Sequence, residues 1–110
     1  MKKIILVLLI CFSIQFLHAE KYALIIAVGN YPKKTGWSTI SSVNDVPLIK
    51  QTLLNQKFEE ANITLLIDEQ ATYAGIKEAL NNLLSKIKPD DIVVIHYSGH
   101  GQQIFDDNDE

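Results

Sequence analysis

The chain has 110 residues, enough for one domain at most, with 10 lysines, no arginine, 13 carboxylates and a formal net charge of −3. Without a basic stripe to meet phosphates, nucleic acid is not expected as a partner. A single cysteine, Cys11, excludes a disulfide within the chain.

Residues 1–19 read as an export signal. Lys2 and Lys3 form a positive start, Ile4 through Phe12 an apolar stretch, and Ala19 a small residue at a cleavage point. An uncleaved anchor is the alternative, but Ser13, Gln15 and His18 interrupt the run, which is short of the roughly 20 apolar residues of a membrane span. Ile10 before Cys11 does not suit a lipoprotein signal, so Cys11 is expected to leave with the leader. The mature part, residues 20–110, is then expected in the periplasm or outside the cell, with no stable membrane association. It has 8 lysines against 13 carboxylates, a net charge of −5, and no thiol.

Tyr22 to Val28 is a continuous apolar run, which fits a strand buried on both faces of a parallel sheet. Gly29-Asn30-Tyr31-Pro32 ends it, and a Lys-, Thr-, Gly- and Ser-rich loop follows from Lys33 to Ser42. Ser42 or Asn44 can cap a helix with Pro47 in its first turn, and Val46, Ile49, Leu53 and Leu54 give it an apolar face. Ile63 to Ile67 reads as a second strand, closed by Asp68-Glu69. Thr72 is a candidate N-cap for a second helix, whose apolar positions Ile76, Leu80, Leu83, Leu84 and Ile87 recur at helical spacing. Pro89-Asp90-Asp91 stops that helix, and Ile92 to Tyr97 reads as a third strand leading into Ser98-Gly99-His100-Gly101. The β-α-β-α-β order predicts an α/β fold with a parallel sheet and helices on its faces. Chemistry in such sheets gathers at the carboxyl ends of the strands. That points to the loop from Asn30 to Asp45 and the turn from His96 to Gln103.

His96 and His100 are four apart, but on a strand that spacing separates them by about 13 Å, so a shared metal is not expected. His96 is expected beside the core with its ring nitrogens hydrogen-bonded. His100 stands between two glycines, which let the backbone turn sharply and a substrate approach closely. An imidazole there suits general acid–base work near neutral pH, and the Gly101 N–H is a candidate donor to a developing oxyanion. The competing reading is a turn with an incidental histidine.

Tyr97-Ser98-Gly99-His100-Gly101-Gln102 resembles the catalytic-histidine motif of metacaspases and related caspase-fold cysteine peptidases. Three more stretches are similar to the family in the same order: Tyr22 to Tyr31, Val43-Asn44-Asp45, and the acidic run Asp106 to Glu110. The resemblance implies a caspase-like three-layer sandwich, present in part, with a mainly parallel sheet. It implies that His100 is the histidine of a Cys-His dyad acting on a polypeptide substrate. Gly101 would supply one oxyanion-hole N–H. Asp45 and Ser98 would line a pocket for Arg or Lys at P1, since a carboxylate selects a cationic side chain. For Asp45 the alternative is a helix N-terminal carboxylate facing the macrodipole. The acidic run is a candidate part of a Ca²⁺ site in the intact protein, with a solvated tip as the alternative.

The resemblance also implies a nucleophilic cysteine roughly 50 residues after the histidine. The 110 residues hold 10 positions beyond His100 and no cysteine among them. The expectation is a truncated peptidase, inactive as it stands; the alternative is a non-catalytic caspase-like module for binding or regulation.

Overall fold

The computed structural model describes residues 18–102. Residues 1–17 of the stretch expected to be an export signal, Cys11 among them, and the acidic run Asp106 to Glu110, with its calcium expectation, lie outside those residues.

Three parallel strands form the sheet: β1, Lys21–Ala27; β2, Ile63–Ile67; and β3, Ile92–Ser98. Their order is β2-β1-β3, so the most apolar strand lies in the middle. Ala23, Leu24, Ile25, Ile26 and Ala27 are all buried, as expected of a strand covered on both faces. Such burial stabilises the fold by about 1.5–3 kcal/mol for each large side chain. β1 begins and ends one residue earlier than the apolar run, although the Val28 N–H still donates to the Ser98 carbonyl at 2.9 Å.

Helix α1, Val46–Asn55, packs on one face of the sheet. Its Val46 and Leu53 join Ala23, Ile25, Ala27 and Phe58 in the core, with Ile63, Leu65, Ile67 and Val94 packed against them. Helix α2, Tyr73–Lys86, lies against the opposite face, with Leu83 close to Leu24 and Thr64. The result is helix, sheet, helix, the layering that alternating strands and helices produce.

Local chemistry sets the helix ends. Thr72 caps α2 as expected, its hydroxyl accepting the Gly75 N–H at 3.0 Å. The start of α1 differs from expectation: Ser42–Asp45 form a 3₁₀ turn that runs straight into the helix. Asp45 therefore occupies the N-cap with helical φ and ψ, and no side chain caps. Pro47 sits in the first turn, where its missing N–H costs nothing.

The α2 side of the sheet is covered unevenly. No α2 residue is fully buried, and Leu84, expected on the apolar face, is 66% exposed. On β3, Val93, Ile95 and Tyr97 share the face of Leu24 and Ile26, yet remain exposed among the described residues. At the other rim, Asp91 ties the strands together: its carboxylate accepts the Glu20 N–H at 2.9 Å and the Lys88 N–H at 2.8 Å.

Candidate functional site

The carboxyl ends of β1 and β3 lie side by side, with Ala27 opposite Ser98. Both chains leave the sheet there, β1 into the loop 28–41 and β3 into the turn 99–102. Asp68, just past β2, braces this rim. Its Oδ1 accepts the N–H groups of Gly29 and Asn30, each at 2.8 Å. Gly29 also fits under the returning loop, where the Ile40 N–H donates to its carbonyl at 2.9 Å. A Cβ on Gly29 would stand 2.6 Å from the Ile40 carbonyl oxygen. The loop is thereby folded back over the rim.

A 3₁₀ turn at Lys33–Thr35, closed by Gly36 at φ 76°, then presents Trp37 and Ser38. They meet His100. The indole of Trp37 stacks on the imidazole at 4.9 Å between ring centres, 29° between planes. The Tyr31 ring lies 4.9 Å from the same imidazole at 49°. The His100 Nε2 is 2.9 Å from the Ser38 carbonyl oxygen. A carbonyl only accepts, so this bond requires the proton on Nε2 and leaves Nδ1 as the basic nitrogen of the neutral ring.

The main chain of His100 is held as well. Its N–H donates to the Tyr31 hydroxyl at 2.7 Å, and its carbonyl accepts from the Tyr97 hydroxyl at 3.1 Å. Gly99 makes room for both phenols: a Cβ there would stand 2.6 Å from the Tyr97 oxygen and 2.8 Å from the Tyr31 oxygen. The Tyr97 phenol is pushed above its ordinary value, first by partial burial and then by the neighbouring Tyr31 hydroxyl. A Cβ on Gly101 would meet nothing within 4 Å, and among the described residues no acceptor takes its N–H. His100 is therefore partly exposed at the sheet rim, next to an unhindered backbone.

Ser98 ends β3, and by strand alternation it shares the α1 face of the sheet with Ala27. Asp45 stands at the N-terminus of α1, on that same side, exposed and unpaired among the described residues. No hydrogen bond joins Asp45, Ser98 and His100. A cleft of about 590 Å³ opens on the other side of the rim, between Tyr31, Tyr97, Asp68 and Ile76, and none of the sequence-predicted site residues lines it.

His96 departs from expectation. It pairs with Ile25 across the sheet, and its Nε2 is buried without a partner among the described residues. The side chains packed around that face are apolar and offer it nothing. The described residues contain no group of three or more His, Cys, Asp or Glu side chains poised for a metal.

The sequence points to the loop from Asn30 to Asp45 but does not single out Tyr31, Trp37 or Ser38 within it, nor Asp68 after β2. The single tryptophan in a loop leaving a sheet rim was the one available signal. A carbonyl that orients a ring has no side-chain signature.

The family model for the metacaspase peptidase C14 domain matches residues 21–110. Metacaspase-7 of Arabidopsis thaliana is 37% identical over 90 residues, covering 76% of this chain and 22% of that protein. Metacaspase-2 of Arabidopsis thaliana is 34% identical over 98 residues, covering 83% and 23%. Metacaspase-1 of Candida albicans is 36% identical over 74 residues, covering 62% and 16%. The chain spans about a fifth of the length of these relatives.

Proposed function

The chain belongs to the metacaspase family of peptidase C14 domains, and from that premise we propose that it supplies the histidine half of a cysteine endopeptidase that cuts after Arg or Lys. The observation that carries this reading is the tether between His100 Nε2 and the Ser38 carbonyl, which leaves Nδ1 as the base beside an open backbone.

The cysteine must come from sequence outside these 110 residues, because Cys11 falls in the apolar leader. On this reading Nδ1 of His100 takes the thiol proton, and the thiolate attacks the scissile carbonyl carbon. The new C–S bond pushes the carbonyl electrons onto oxygen, where the Gly101 N–H donates a hydrogen bond. The imidazolium then returns its proton to the leaving amine as the C–N bond breaks. Water, deprotonated by the same nitrogen, hydrolyses the thioester and frees the thiol. Asp45, exposed at the α1 N-terminus, and Ser98, on the same side of the sheet, line the P1 pocket, the carboxylate selecting a cationic side chain. The apolar leader directs the protein out of the cytoplasm. The 110 residues alone cleave nothing.

The test uses the complete gene product and fluorogenic peptides with Arg, Lys or Asp at P1. His100→Ala is expected to lower kcat/KM by about a thousandfold or more. Asp45→Ala is expected to abolish cleavage after Arg and Lys while leaving thiol alkylation intact. A complete product with no cysteine after the β3 region would leave the non-catalytic module in its place. Unchanged cleavage in Asp45→Ala would remove the pocket assignment.

A further inference from the structure

We propose that Tyr97 is a positioning residue whose hydroxyl, by holding the His100 carbonyl, aims the Gly101 N–H at the developing oxyanion. This rests on the peptidase reading above.

The carbonyl of His100 and the N–H of Gly101 belong to one rigid plane, and in a trans peptide they point in opposite directions. Whatever fixes the carbonyl fixes the N–H. The plane lies in a Gly-His-Gly stretch, where glycine imposes little steric restraint of its own. Left alone, such a plane can rotate at small cost and turn its N–H away. The Tyr97 hydroxyl removes that freedom by donating to the carbonyl at 3.1 Å. Tyr31 secures the preceding plane by accepting the His100 N–H at 2.7 Å.

Three features show that the hydroxyl, and not the ring, is the useful part of Tyr97. The residue is 53% exposed, so a buried aromatic is not what the fold gains from it. Gly99 has no Cβ at the point where the two phenol oxygens converge. The Gly101 N–H has no acceptor among the described residues, and a Cβ on Gly101 would meet nothing within 4 Å. Donation to the carbonyl also polarises the whole peptide unit, which makes its N–H a stronger donor.

The experiment compares wild type, Tyr97→Phe and Tyr31→Phe in the complete gene product, with amide hydrolysis and iodoacetamide alkylation measured in parallel. Alkylation requires the thiolate but passes through no oxyanion. Tyr97→Phe is expected to lower kcat by about ten- to a hundredfold, somewhat less than deleting an oxyanion donor outright, with KM and the alkylation rate within about twofold of wild type. Unchanged kcat overturns the proposal. So does an alkylation rate that falls in step with kcat, because the hydroxyl would then be acting through His100. The clamp is also read without catalysis, from the Gly101 amide resonance of ¹⁵N-glycine-labelled protein, which is expected to move in Tyr97→Phe and less in Tyr31→Phe. A resonance that stays in place overturns the clamp even if the protein proves to be no peptidase. A wild type that neither cleaves nor is alkylated in a His100-dependent way, with the resonance moving, overturns the peptidase reading and the oxyanion role while the clamp stands.

Discussion

The indole of Trp37 lies over the imidazole of His100 with 4.9 Å between ring centres and 29° between planes. Because Trp37 is the only tryptophan of the 110 residues, its emission reports on this one contact. His100→Ala removes the stacked ring and is therefore expected to change the intensity and wavelength of the Trp37 emission. Emission identical to wild type in His100→Ala would show that the rings do not meet in solution.

Asp68 joins the end of β2 to the end of β1 through one carboxylate oxygen that accepts two N–H groups. Gly29 is buried, so removing the acceptor strands a donor away from water, at about 1–3 kcal/mol. Asp68 also has φ 50°, a left-handed conformation that Asn tolerates and Ala resists. Urea denaturation should place Asp68→Ala well below wild type and Asp68→Asn close to it. Equal stabilities for the two variants would refute the bracing role.

Gly75 offers a prediction whose sign runs against helix propensity. In an exposed helix interior, Gly→Ala gains about 1 kcal/mol. Here a Cβ would press on the carbonyl oxygen of Gln70, a backbone atom that cannot swing aside. Gly75→Ala is expected to lower the thermal midpoint, with an overpacking cost of about 1–3 kcal/mol. A raised midpoint would mean that the turn at Asp68–Gln70 yields freely.

Tyr97 gives a pH dependence. Partial burial, then the Tyr31 hydroxyl, hold its phenol above the ordinary value of 10.0. The folded state thus keeps its proton at pH values where the unfolded state has released it. This contribution to stability is whole below pH 10 and is lost as pH rises through the raised value. Urea midpoints measured on the alkaline side should fall more steeply for wild type than for Tyr97→Phe. Parallel slopes would show that the phenol is not linked to folding.

Sequence reasoning reached some of these features and missed others for identifiable reasons. Ala23 to Ala27 announced the central strand because nothing polar interrupts them. Thr72 announced the start of α2, and His100 stood out between its glycines. The α1 start is not legible in the sequence, because a 3₁₀ turn leaves no mark that distinguishes it from a capped helix. Helical spacing puts Leu84 with the apolar positions of α2, but α2 covers only part of the sheet and leaves it exposed. The Tyr31, Trp37 and Ser38 contacts depend on a loop folding back 62 residues before His100 in the chain, a distance over which local patterns carry no information.

The position of β1 bears on how the chain comes together during synthesis. The middle strand emerges from the ribosome first, yet its neighbours begin at Ile63 and Ile92. Its most water-averse segment must wait, one edge until β2 has followed and the other until β3 has. Long-range parallel pairing of this kind is slow to form. Until β3 arrives, the open edge of β1 can pair with a neighbouring chain instead.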